Sequence, residues 1–229
     1  MRIEWLNKIS SDRVILFYNG WGMDAAAVSH LRSDCDVVMC NDYRSLELED
    51  GLPDLLRGYR EVYLVAWSMG VWAAANTISR MGIRLSTAIA LNGTEHPVDD
   101  QYGIPSKIYL LTERGMTERG REKFMQRMLD GPEEIKQFEQ NKSLRSVGET
   151  CEELSFIREQ SICSAKNEIK WNNIYISNQD VIFPVKNQQA WWQDKFPVVT
   201  LAGGHYPFYH FDTWEEIIGI KSEEKIIDL

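Results

Sequence analysis

Cysteine is scarce in this chain and badly spaced for metal. Cys35, Cys40, Cys151 and Cys163 form no C-x-x-C pair and no cluster with histidine at ligand spacing, which excludes a sequence-evident zinc site or dithiol redox centre. Four free thiols in a reducing compartment are the expectation. Long apolar runs are missing too. No stretch approaches the roughly 18 residues that cross a bilayer, and the N-terminal MRIEWLNKIS lacks the apolar segment of a secretory signal. No membrane partner is implied, and a cytoplasmic protein is expected. There is no basic excess: 25 Lys and Arg stand against 34 Asp and Glu, a net charge of -9. General nucleic-acid binding, which draws its affinity from a basic surface, is thereby disfavoured. The absence of internal repeats argues against a solenoid.

What is present points to one α/β domain over residues 1–229, 44% apolar and long enough for a well-buried core. The apolar run 14–18 stops at Asn19-Gly20-Trp21-Gly22 and leads through Asp24, a candidate N-cap, into a helix from 25 to 31. Further strand-like runs at 36–40, 62–66 and 86–91 alternate with helical stretches, the pattern of a doubly wound, mostly parallel sheet. Residues 1–7 alternate polar and apolar as an edge strand does, and the acidic stretch 46–56 reads as a surface helix or loop. From about 95 to 170 strand signals fade. Thr117 is placed to cap a helix over 118–130, Gly131-Pro132 ends it and begins another, and a third covers 149–162. The sheet resumes at 171–176 and closes with 198–201, with a helix at 187–196 between. The fold class predicted is the α/β-hydrolase fold, with residues 95–170 as a helical lid.

The candidate chemistry centres on Ala66-Trp67-Ser68-Met69-Gly70, where a buried strand turns sharply into an alanine-rich helix. A nucleophile elbow needs small residues two before and two after the serine, because strand and helix nearly touch there. Gly70 satisfies this, and Ala66 stands where glycine is usual. The glycine-rich loop after the first strand sits where half of an oxyanion hole is expected, so the amides of Trp21 and Met69 are its candidate donors. A plain strand-to-helix turn is the alternative for that loop. Asp180, in the loop after the late strand and ahead of Pro184, is the candidate acid, with a turn role as its alternative and Asp99 or Asp100 as the substitute acids. His205, after the last strand and a glycine pair, completes the chain order Ser68, Asp180, His205. No metal or cofactor is called for.

The lid carries a charge anomaly. Residues 107–127 hold six basic residues against three acidic ones, and Arg119, Lys123 and Arg127 are spaced four apart on one helix face, with Phe124 and Met128 on another. The basic face is either a solvated surface or a dock for an anionic carrier or phosphate.

Together NGWGM, AWSMG, NQDVIFP and GGHYPF resemble the α/β-hydrolases of biotin synthesis, the pimeloyl-acyl-carrier-protein methyl ester esterases. The likeness is to their compact branch, formerly classed as a domain of unknown function. It covers nearly the whole chain. Asn19 and Ala66 depart from the histidine and glycine of the widespread esterase form. The resemblance implies hydrolysis of the methyl ester of pimeloyl acyl carrier protein by Ser68, His205 and Asp180. It also implies an apolar slot walled by Trp21 and Trp67. Phe124 and Met128 are, from their spacing, either lid core or further substrate contacts. Arg114, Arg119, Arg121, Lys123 and Arg127 would then meet the acidic carrier. Rival readings are a thioesterase or small-ester carboxylesterase with the same triad, and a hydrolase fold kept as a binding module.

Overall fold

The computed structural model describes residues 1–48, 50–161 and 169–220. Its first strand falls on the alternating stretch 1–7 and the other six on the apolar runs of the sequence. The chain opens with β1 (Arg2–Asn7), β2 (Arg13–Tyr18) and β3 (Asp36–Asn41), and a short helix, α1 (Leu52–Arg57), leads to β4 (Glu61–Trp67). From β4 the chain enters α2 (Met69–Met81) and returns as β5 (Thr87–Leu91). Four helices follow: α3 (Ser106–Arg114), α4 (Glu118–Met128), α5 (Gly131–Phe138) and α6 (Val147–Gln160). The sheet is then completed by β6 (Asn173–Ser177), α7 (Val185–Trp192), β7 (Val198–Leu201) and α8 (Trp214–Ile218).

The seven strands lie in the order β1-β3-β2-β4-β5-β6-β7. All pairs are parallel except β1 with β3. β2, β3 and β4 are buried almost end to end, which is why they read as unbroken apolar runs and not as alternation: helices cover both faces. β1 lies at the edge and keeps the alternation. β7, at the other edge, leaves Val198 and Val199 more than a third exposed.

Several elements differ from the sequence reading. The segment after Asp24 is a single 3-10 turn, Ala25–Val28, with Asp24 Oδ1 accepting from Ala26 N as its cap. Helix α3 is unannounced in the sequence because Tyr109 is its one buried residue, too narrow a stripe to register. Helix α4 starts where Thr117 places it, with the threonine hydroxyl accepting from Gly120 N, and ends at Met128. Helix α6 begins earlier than expected because Ser146 and Glu149 form a reciprocal capping box at its start; Ile162, its expected end, lies outside the described residues. Cys35 and Cys151 are free thiols, and Cys163 lies outside the described residues. Among the described residues no helix is long and apolar enough to cross a membrane.

One partly buried carboxyl ties the loop after β5 to the segment ahead of β6 and makes stability depend on pH. Trp171 Nε1 donates to Glu95 Oε1 at 2.8 Å, and burial pushes the Glu95 carboxyl up from 4.5 to about 7, against a smaller opposing pull from Lys195. The folded state therefore holds a proton that the unfolded chain releases. Its stabilisation is complete below the unfolded value and is lost as pH rises through about 7. Between pH 5 and pH 8 this group should remove up to about 3 kcal/mol of stability. Glu95→Gln keeps an oxygen for Trp171 and should abolish that slope, as urea unfolding at the two pH values will read.

Candidate active site

Ser68 joins β4 to α2 at φ 58°, ψ -125°, a conformation that side chains rarely adopt. The surroundings impose it. Ser68 N donates to Leu91 O at 2.9 Å, fixing the turn to β5, and α2 departs so close to β2 that a Cβ on Gly70 would fall onto the Tyr18 carbonyl oxygen. A Cβ on Gly93 would likewise fall onto Ser68 O. Ala66 is fully buried, in register with Tyr18 on one side and Ala90 on the other. Its single methyl is accommodated there.

His205 is held by its backbone. Its carbonyl accepts from Trp67 Nε1 at 3.0 Å and from Asn92 Nδ2 at 2.9 Å, and its ring stacks on Phe183 with 10° between the planes. Asn92 also accepts from Ser177 N at 2.7 Å, so one side chain joins the ends of β5 and β6 to the histidine loop. Asp180 receives four donors. Ile182 N and Phe183 N reach Oδ1 at 2.8 and 2.9 Å, and Gln188 Nε2 reaches Oδ2 at 2.9 Å. The fourth is His205 Nδ1, 2.8 Å from Oδ2. An ionised carboxylate only accepts, so Nδ1 carries the proton and Nε2 is free to accept from Ser68 Oγ, 2.8 Å away. All three residues are buried. Such a chain can take the serine proton as the oxygen attacks a carbonyl, and the aspartate can stabilise the imidazolium that forms. The alternative acids lie elsewhere: Asp99 Oδ1 accepts from Gln101 N and Tyr102 N, and Asp100 Oδ1 from Ser106 N.

The loop after β2 is folded by Asn19, whose Oδ1 accepts from Gly20 N at 2.8 Å while its Nδ2 donates to Asp24 O at 3.0 Å. Gly22 N donates to Glu153 Oε2. Trp21 N takes part in none of the hydrogen bonds among the described residues. Met69 N belongs to the first turn of α2, where amides have no partner within the helix and the positive end of the helix dipole lies.

Trp21 and Met69 border a narrow cleft, with Ile104, Tyr109, Phe124 and Leu154 among its other walls. The Trp21 and Phe124 rings meet edge to face at 4.8 Å. Trp67 and Met128 do not line it. Trp67 lies beneath the site against His205, Tyr206 and Phe208, and Met128 is buried with its carbonyl accepting from Tyr206 N. Ile108, Thr112, Phe124 and Arg127 are shared between the cleft and an outer groove between α3 and α4. Of the five basic residues of α3 and α4 expected to meet the carrier, Lys123 and Arg127 line that groove. Arg119 and Arg121 border a different depression with Lys142, and Arg121 pairs with Glu118 at 3.0 Å. Arg114 stands in the last turn of α3.

Comparison of the whole fold places the protein among the α/β-hydrolases. An esterase from Exiguobacterium antarcticum superposes with a TM-score of 0.63 over 89% of this chain and 87% of its own, at 16% identity, a likeness of fold alone. The sequence is more specific: residues 1–217 match the family described as pimeloyl-ACP methyl esterase BioG, and the chain belongs to that family. BioG from Haemophilus influenzae superposes with a TM-score of 0.86 at 33% identity, over 95% of this chain and 100% of that one. A malonyl-[acyl-carrier protein] O-methyltransferase from Bacteroides fragilis is 38% identical over 194 residues, 84% of this chain. This chain spans 39% of that relative's length.

Proposed function

We propose that the protein is a serine esterase that hydrolyses the methyl ester of pimeloyl acyl carrier protein in the cytoplasm, releasing methanol and the free distal carboxylate in biotin synthesis. The observation that carries the reading is the unbroken hydrogen-bond chain from Ser68 Oγ through His205 to Asp180, beside an apolar cleft in a member of the BioG family. In this scheme Ser68 attacks the ester carbonyl while His205 Nε2 takes its proton, and the amides of Trp21 and Met69 bind the oxyanion. His205 returns the proton to the leaving methoxide oxygen. Water, deprotonated in turn by His205, then clears the acyl-enzyme.

The acyl chain suits the cleft, whose walls are mostly apolar side chains. The carrier suits the outer groove. Lys123 and Arg127 supply positive charge there on a chain of net charge -9, and exposed Ile108 and Leu111 supply an apolar track leading inward. The name of the Bacteroides relative joins a methyl group to a carrier-bound acid, the class of ester this site would cleave.

The test compares the purified protein on pimeloyl-acyl-carrier-protein methyl ester, free dimethyl pimelate and the carrier thioester of pimelate. Methanol release from the first should exceed that from the second by on the order of 10²-fold in kcat/KM, since remote binding energy is available only with the carrier. Preferential cleavage of the thioester would replace the reading with a thioesterase.

A further inference from the structure

The last lid helix reaches under the site and holds the loop that carries Trp21. Glu153, near the middle of α6, is fully buried. Its Oε1 accepts from Tyr43 N at 2.7 Å, and its Oε2 accepts from Gly22 N at 3.2 Å and pairs with Arg145 Nη1 at 2.6 Å. Arg145, itself buried, extends the pair to Asp42, 3.0 Å from its Nη2. One carboxylate thus grips the loops that follow two adjacent parallel strands, β2 and β3, across 131 and 110 positions of sequence. A turn earlier in α6, Thr150 O accepts from Trp21 Nε1 at 2.9 Å, and the Thr150 side chain packs against Gly22.

The consequence for Trp21 is geometric. The peptide on its C-terminal side is fixed through Gly22 N, its indole is fixed through Thr150, and the peptide before Gly20 is fixed by the Asn19 side chain. The unengaged Trp21 N–H lies between these anchors. An oxyanion donor is effective in proportion to how little it must reorganise when charge develops. A buried charge with three partners is an expensive way merely to hold two loops together: burial pushes the Glu153 carboxyl up, and Arg145 with the two amides offsets that only in part.

We propose that Glu153, backed by Arg145, is a positioning residue for catalysis that sets the direction of the Trp21 amide and so makes the oxyanion hole depend on the docking of α6. The proposal rests on the serine-esterase reading, so its test uses an ester that does not require the carrier. Wild type, Glu153→Gln and Glu153→Asp are compared on p-nitrophenyl butyrate, with inhibition by a butyl trifluoromethyl ketone measured alongside. Aspartate keeps the charge beside Arg145 but falls short of Gly22 N, which preserves the fold if glutamine does not.

Each folded variant should show kcat lowered by about 10- to 100-fold, part of the 10²- to 10³-fold cost of losing an oxyanion donor outright. KM should stay near the wild-type value, and the affinity of the tetrahedral ketone adduct should fall by the same factor as kcat. A purely structural role would lower kcat by reducing the folded fraction and leave the ratio of inhibitor constant to KM unmoved, which would overturn the proposal. A wild type that cleaves neither this ester nor the carrier-bound one would remove the esterase reading itself, and the proposal with it.

Discussion

Ser68→Ala is expected to lower kcat on the methyl ester by about 10⁵- to 10⁶-fold, with carrier-bound substrate still binding. Alanine keeps the Cβ, so the backbone strain at φ 58° is the same in mutant and wild type. The Ser68 N bond to Leu91 O and the fit around Gly70 and Gly93 are likewise untouched. The one thing removed is Oγ, the atom 2.8 Å from His205 Nε2. A small rate over water should survive, from the amides of Trp21 and Met69 and from the substrate's position in the cleft. Methanol release assayed beside thermal unfolding separates loss of chemistry from loss of fold. Retention of more than about a hundredth of the wild-type rate by folded mutant would show that another group delivers the attack, since a triad acts as a unit.

The sequence made this site readable where the residues sit at strand ends. Ser68, Asp180 and His205 each follow a short apolar run, and parallel strands deliver the loops after them to one edge of the sheet. Chain order then assigned the roles. Residues that act from mid-helix or across long stretches of sequence carry no such signal. Gln188 looks like any polar residue of α7, yet it is fully buried and donates to Asp180. Asn92 joins Ser177 across 85 positions, and Glu153 reaches Gly22 across 131. No local pattern encodes such pairings. Periodicity also shows which residues share a face without showing what the face meets. Phe124 and Met128 are one turn apart on α4, but Phe124 lines the cleft and Met128 is buried near Tyr206. Trp67 ends β4 with its indole turned to the His205 carbonyl, away from the acyl slot where it was expected. The basic residues of α3 and α4 divide in the same way, because Arg121 is taken up by Glu118 and the Arg145 carbonyl while Lys123 and Arg127 line the groove.

Asp180→Asn should cost about 10⁴-fold in kcat through a change of tautomer. The Oδ1 site faces two amide donors, Ile182 N and Phe183 N, so the asparagine oxygen must take that side and its NH2 must replace Oδ2. That group then donates to His205 Nδ1, which has to give up its proton. The proton moves to Nε2 and points at Ser68 Oγ, and the imidazole can no longer accept from the serine. Gln188 can adapt, because its buried Oε1 has no partner among the described residues and can turn to accept from the new NH2. It would lose its bond to Phe183 O in doing so, a destabilisation of about 1 kcal/mol. The expected result is a folded protein with nearly unchanged KM, a kcat collapsed by four orders of magnitude, and a His205 ring whose ¹⁵N shifts report the Nε2–H form. Asp99→Asn and Asp100→Asn should leave kcat near wild type, because those carboxylates cap turns by accepting from Gln101 N, Tyr102 N and Ser106 N. Were Asp180→Asn to keep kcat within tenfold of wild type while either of the others lost it, the acid of this site would have to be reassigned.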